Sequence, residues 1–312
     1  MKKTLLALAV VTAATSAQAV EIFNQDGVTV GLHGDIEVVY KNETTRSSFQ
    51  QEIQDADFGF DTRYMINDEF TVGAYWEFDG SKHTNAVDTK NGDQFVALYS
   101  QTYGSIKFGR LCTAIDDAGI GSDYQYGISS FFDTNYSPCD DEAVRYDYDN
   151  GSFYVTAGMI QDKVDSDGKN VNASDDTYYD GKIGYRVADF DFTAFYGSAD
   201  NAAKDVVMGF EGRFGGIENV NLALAYYNAD KDNFNNANND TIAVSADYTM
   251  GLWSFAAGYS TSDHDVSALD KDSWYLNTGY GIAPNTKVYA ELGGDDQDDS
   301  DLAFAIGAKA EF

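Results

Sequence analysis

The amino-acid sequence predicts an all-β chain, a 16-stranded antiparallel transmembrane β-barrel with short periplasmic turns and long extracellular loops. Three observations predict it. The 22 Tyr, 20 Phe and 29 Gly against only two Pro favour strands and turns over helices. Runs of roughly ten residues alternate apolar with small or charged side chains, which is the period of a strand with two different faces. The connections between the runs are alternately short and long, as in an up-and-down barrel of the outer-membrane kind.

The first nineteen residues stand apart. Lys2 and Lys3 precede the apolar run Leu5 to Val11, and small residues lead to Ala17-Gln18-Ala19. This is the layout of a secretory signal with an A-x-A cleavage site, and the run is short of the roughly 20 residues a spanning helix needs. The barrel is therefore assigned to residues 20–312. No other segment holds about 18 consecutive apolar residues.

No repeat of fixed length is present, but a loose beat of about 18 residues runs through the chain. It gives strands at about 28–40, 54–66, 70–79, 93–101, 104–111, 142–149, 152–161, 177–187, 190–198, 206–214, 220–228, 240–249, 252–261, 273–281, 286–293 and 302–312. An even count puts both ends on one side. Stretches such as "TYG", "VAD" and "APN" form the short connections, and "KVDSDGKNVNASDD", "NADKDNFNNANND" and "GGDDQDDSD" the long ones. Pro138 and Pro284 fall outside the strands, where a missing N–H costs no ladder bond.

The faces separate this barrel from a soluble sandwich. One face carries Ile36 and Val38, Trp76 and Phe78, Phe190 and Phe192, Leu222 and Leu224, Trp253 and Phe255. The other carries His33, Asp35 and Glu37, Asp55, Asp57, Asp61 and Arg63, Lys107, Arg145 and Asp147, Asp180 and Lys182, Glu211 and Glu291. Sixteen strands enclose a lumen too wide for side chains to fill, so the charged face lines water and the apolar face meets lipid. Closure also satisfies every backbone group in hydrocarbon, where each unpaired one costs several kcal/mol. Tyr40, Tyr185, Tyr196, Tyr226, Tyr248, Tyr259 and Tyr280 stand near strand ends, where an interfacial aromatic girdle belongs. The last strand, "LAFAIGAKAEF", is apolar on alternate places and must pair with the first.

At this point the chain resembles the Gram-negative general porins of the OmpF, OmpC and OmpU type. The resemblance rests on "NQDGVTVGLHGDIEVVY" as first strand, "QFVALYSQTYGSIKFGR" as fourth and fifth, "AVRYDYDNGSFYVTAGM" as sixth and seventh, and the terminal Phe312 as assembly signal. It implies a homotrimer of separate water-filled pores, held in outer-membrane lipid and lipopolysaccharide after delivery by the outer-membrane assembly machinery. It also implies a third long loop folded inward to narrow each pore, facing a ladder of basic residues. Here that loop is about Leu111 to Asp141, and it carries Asp116, Asp117, Asp123 and Asp133 with no Lys or Arg between the cysteines. The family's "PEFGG" element is replaced by "DDAGIGSDYQYG". Arg63 and Arg145 suit the ladder by strand and face, with Lys107 beside them. The place usually held by Arg on the fourth strand falls near Gly92, which weakens the ladder.

Charge and chemistry narrow the function. With 51 Asp and Glu against 20 Lys and Arg, a formal net charge of −31, the chain repels nucleic acid. Cys112 and Cys139 are the only cysteines, and an oxidising compartment favours a disulfide between them over two buried thiols. His33, His83 and His264 are far apart, and "GYSTS" at 258–262 fails the nucleophile-elbow pattern at its last place, so no catalytic constellation is expected. No cofactor or metal is called for. "KVDSDGKNVNAS" has EF-hand-like spacing but Lys163 at the first ligand place and Ser174 where Glu is needed. The expectation is a porin passing small hydrophilic solutes, weakly cation-selective at an acidic waist. The alternatives are a sugar-selective porin, which needs an aromatic run along the lumen, and an adhesin or receptor barrel of low conductance.

Overall fold

The computed structural model describes residues 19–80, 90–129, 137–161, 177–200, 205–230 and 238–312. Of the expected signal sequence, residues 1–18 lie outside this set. Seventeen strand segments follow the chain: β1 Val20–Gln25, β2 Val28–Glu43, β3 Arg46–Met65, β4 Phe70–Asp79, β5 Lys90–Ser100, β6 Gly104–Cys112, β7 Cys139–Asp149, β8 Phe153–Gln161, β9 Thr177–Val187, β10 Phe190–Asp200, β11 Val206–Ile217, β12 Val220–Asp230, β13 Asn239–Met250, β14 Trp253–His264, β15 Lys271–Ala283, β16 Thr286–Asp295 and β17 Ala303–Glu311. From β2 to β17 each strand pairs antiparallel with the next. β17 closes the ring on β2, from Ala305 opposite Lys41 to Glu311 opposite Asp35.

Sixteen stave positions hold seventeen segments because β1 and β17 share one. β1 turns back at Asp26-Gly27 and pairs with the lower part of β2, from Val20 opposite Leu32 to Gln25 opposite Val28. At the junction Gly34 and Phe312 exchange two backbone hydrogen bonds of 2.9 Å, so the chain's two ends complete the same row. The sequence pattern missed β1, since "VEIFNQ" is exposed throughout and shows no clean alternation.

The first outer connection also differs from expectation. β2 and β3 continue to a two-residue turn, with Glu43 opposite Arg46, so a long hairpin stands where a loop of about 13 residues was expected. Elsewhere the short turns are as tight as the sequence suggests. Asn219 and Asn285 take positive φ of 62° and 53° in two of them, and Gly251 a φ of 62° in a third, a conformation that Asn and Gly adopt at little cost.

The side chains alternate as predicted. Outward-pointing Trp76, Ile183, Phe192, Leu224 and Ile306 are about half exposed, while inward-pointing Val39, Tyr289, Glu291 and Ala305 are almost fully covered. Tyr185, Phe190, Tyr248, Trp253 and Tyr280 gather near the short-turn end, with Trp253 and Tyr280 centroids 4.7 Å apart. Tyr40, Tyr196, Tyr226 and Tyr259 stand nearer the other end, giving two aromatic rims around an apolar band.

Candidate functional site

The connection from β6 to β7 turns into the barrel. Its feet are held together: Cys112 and Cys139 are opposite one another and joined by a disulfide. The Thr113 N–H donates to Pro138 O at 2.7 Å. A single turn of 3-10 helix, Ala114–Asp117, starts the inward course.

From there, inward-pointing wall carboxylates receive the loop's backbone. Asp180 on β9 accepts from Ile115 N–H at 2.9 Å and from the Thr113 hydroxyl at 2.6 Å. Glu211 on β11 accepts from Gly119 N–H at 2.6 Å and from the Tyr227 hydroxyl at 2.8 Å. Glu291 on β16 accepts three consecutive N–H groups, of Tyr124, Gln125 and Tyr126 at 2.6, 2.8 and 2.8 Å, and the Asn277 amide at 3.0 Å. Gln125 reaches Glu37 on β2 at 2.9 Å, and the Tyr126 hydroxyl donates to Asn42 O at 3.0 Å. Hydrogen bonds to a charged acceptor contribute about 1.5–3 kcal/mol each, so this row fixes the loop's path across β9 to β16 and on to β2.

Apolar packing accompanies the rivets. Ile115, Ala118 and Ile120 of the loop pack on Phe195, Val207, Ala225, Tyr227 and Ala243, which point inward from β10 to β13. Lumen-facing apolar residues are anomalous in a water-filled pore unless something covers them. They are the signal in the sequence that locates the covered wall, and parity alone did not expose it.

The candidate residues divide accordingly. Asp117 lies between Arg145, at 2.6 Å, and Lys182, at 2.7 Å. Arg145 therefore touches the loop instead of facing it across open water. It also receives support from Asp147 at 2.9 Å and donates to the carbonyls of Cys112 and Thr113, both at 3.2 Å. Lys107 pairs with Asp147 at 3.1 Å. Arg63 is bound through two nitrogens to Asp61 and rests on the Tyr99 ring, 4.1 Å from its centroid. All three basic wall residues are thus engaged with carboxylates.

Asp116 is exposed on the loop. Desolvation raises its carboxyl above the ordinary Asp value, and neighbouring Asp117 raises it further against the pull of Arg145. Asp123 is open to the lumen but hemmed in against Gly121 and Gly127 of its own loop. Desolvation also raises it, with Glu291 adding to the shift. Asp133, His83 and the calcium-like stretch 163–174 lie outside the described residues.

On the uncovered wall, β3 to β8 with the adjoining stretch of β2 around His33, the structure brings together residues that the sequence left scattered. His33, Tyr75 and Phe95 stack in a column, each centroid 5.0 Å from the next with interplanar angles of 12° and 11°. Gly59 makes the column possible, because the His33 ring lies over it and a Cβ there would strike the imidazole. The Tyr75 hydroxyl donates to Glu77 at 2.7 Å.

The chain matches the Gram-negative porin family over residues 4–300. It is 30% identical to Porin-like protein H of Photobacterium profundum, with the whole of both chains covered. It is 25% identical to the Monosaccharide porin of a Halomonas species, over 95% of this chain and 81% of that one. Among solved structures it is similar to the trimer form of OmpT, an outer membrane protein of Vibrio cholerae. There the TM-score is 0.75 at 22% identity, over 92% of this chain and all of that one.

Proposed function

The chain belongs to the Gram-negative porin family and is a β-barrel channel of the outer membrane, and we propose that it passes small hydrophilic solutes by passive diffusion, with a weak preference for cations. The observation that carries the preference is the pairing pattern at the inward loop. Arg63, Lys107, Arg145 and Lys182 each sit in an ion pair within the barrel. Among the described residues no cation is paired with Asp93, Asp116 or Asp123. These four cations meet three carboxylates, Asp61, Asp117 and Asp147, and with Asp93, Asp116 and Asp123 counted the acidic charge is in excess at the level where the loop narrows the passage. A low-dielectric frame strengthens that field.

Within this proposal Asp116, Asp117 and Asp123 belong to the constriction, with Asp117 largely neutralised. Arg63, Lys107 and Arg145 form its basic wall, and residues 1–19 are the export signal. The working assembly is a homotrimer, in line with the trimer form of the V. cholerae structure, with lipid and lipopolysaccharide around it. Planar-bilayer recording in a KCl gradient tests the proposal. Stepwise insertion of open channels is expected, in triplets, with a zero-current potential of the sign set by K⁺. A closed barrel or an anion-selective one would contradict it.

A sugar-selective channel is the second possibility, suggested by the Halomonas relative's name and the His33–Tyr75–Phe95 column. Sugars stack on ring faces, however, and in this column the faces are largely turned to one another. The geometry favours ions and small polar solutes.

A further inference from the structure

The aromatic column and the acidic residues beside it have no part in holding the loop. We propose that the uncovered wall carries a subsite for aromatic ammonium cations, the ligand ring lying on the edges of His33, Tyr75 and Phe95 and its charge held by Asp93, Glu77 and Asp116. The proposal rests on the passage of cations through this waist.

Ring electrostatics select the body of the ligand. Tyr75 and Phe95 face each other directly on neighbouring strands, and His33 reaches Tyr75 across Gly59. Stacking hides ring faces and leaves ring edges toward the lumen. Edges carry the positive end of the ring quadrupole, so they attract the negative face of another aromatic ring in the T-shaped arrangement, worth about 0.5–1.5 kcal/mol per pair.

Carboxylates select the charge. Asp93 points inward from the same strand as Phe95, two residues away, and lies within electrostatic reach of Glu77 and of Asp116 on the loop, as well as of Lys107 and Arg145, whose charges are shared with Asp147 and Asp117. Glu77 already orients the Tyr75 hydroxyl. Anions are disfavoured, because Lys107 and Arg145 are committed to Asp147 and Asp117 and would have to leave them. Arg63 is likewise held by Asp61 and by the Tyr99 ring, on the row below. An ammonium with an aromatic body satisfies both halves of the wall at once, whereas a bare metal ion uses only the carboxylates.

The test is planar-bilayer recording of the mature trimer with phenethylammonium chloride added to one side in KCl. Reversible, concentration-dependent block is expected. Asp93→Asn should raise the blocking concentration about tenfold, the factor set by about 1.4 kcal/mol. Tyr75→Leu with Phe95→Leu should raise it severalfold, while block by tetramethylammonium responds to Asp93→Asn alone. Phe95→Leu by itself serves if the double variant does not insert. Three outcomes overturn the proposal: no block of the wild type, block unmoved by every substitution, or equal block by phenethyl alcohol or by a monosaccharide. The KCl zero-current potential, taken in the same bilayers, keeps the two proposals apart. Cation preference without phenethylammonium block removes the subsite and leaves the channel's selectivity standing.

Discussion

The two halves of the lumen wall use the same residue types for opposite purposes. On the covered half, β9 to β16 with β2 from Glu37 to Asn42, the carboxylates of Asp180, Glu211 and Glu291 are buried acceptors for loop N–H groups, with apolar residues between them. On the open half, β3 to β8, carboxylates neutralise a neighbouring Arg or Lys, accept from another wall group as Glu77 does from the Tyr75 hydroxyl, or face water. An inward carboxylate therefore says nothing by itself about permeation. What decides is whether a backbone donor, a cation or solvent meets it.

The largest effect that would break this division is release of the loop. Glu291→Leu removes the acceptor of three backbone N–H groups and one amide. Because the four bonds share one carboxylate they do not add in full, and the loss is on the order of 4 kcal/mol, close to a thousandfold in the ratio of pinned to free loop. Conductance and current noise should rise sharply while circular dichroism keeps the β spectrum of the barrel. Unchanged conductance would mean that apolar packing alone holds the loop.

Removing the disulfide is expected to do less at the waist. Cys112 and Cys139 are 27 residues apart, and chain entropy assigns such a cross-link roughly 3–4 kcal/mol, mainly against the unfolded state. The feet remain tied by the Thr113 to Pro138 hydrogen bond. Cys112→Ser with Cys139→Ser should therefore lower the unfolding temperature and add modest channel noise, with conductance nearly unchanged. Free thiols in protein isolated without reductant would remove the disulfide from the mature molecule.

Arg145 stands where the two halves meet, bonded to the loop and to the open wall. Arg145→Gln leaves Asp117 with Lys182 and Asp147 with Lys107, two balanced pairs, and takes one positive charge away from the waist. Cation selectivity should increase, read as a larger zero-current potential in a KCl gradient. A decrease would show that Arg145 positions the loop more than it sets the charge.

The smallest expected effect is that of mild acid. Asp116 and Asp123 have carboxyls raised by desolvation, so each takes up its proton at a higher pH than free Asp, whose value is about 3.9. Their charge is present above the raised value and lost as pH falls through it. Selectivity should therefore begin to fade at a pH where exposed loop aspartates are still ionised. Fading that tracks only an ordinary carboxylate would assign the preference to exposed groups.

Much of the barrel was legible in the sequence because one face of nearly every strand meets lipid. Ile183, Tyr185, Phe192 and Leu224 show the period of two plainly for that reason. The extensions of β2 and β3 around Glu43 and Arg46 were not legible, since a hairpin end that is polar on both faces, "KNETTRSS", carries no apolar stripe to give a period. Within the site, the cysteine feet and the acidic loop could be read from composition and resemblance. The rivets could not: Glu291 accepts from residues 165 to 167 positions away, through backbone N–H groups that every sequence offers alike. Phe195, Val207 and Ala243 were a readable clue, apolar residues in lumen-facing places, whose meaning depends on the loop that covers them.

That the unpaired carboxylates at the waist set the selectivity is tested most directly by one zero-current potential. In a KCl gradient, Asp93→Asn with Asp116→Asn should move it toward zero, and the shift should shrink at molar salt. Asp295→Asn with Asp296→Asn, at the outer mouth, should leave it almost unchanged, because exposed charges are screened beyond about 8 Å at physiological salt. The reverse pattern, with the waist pair silent and the mouth pair effective, would place selectivity outside the constriction and contradict the division of the wall described above.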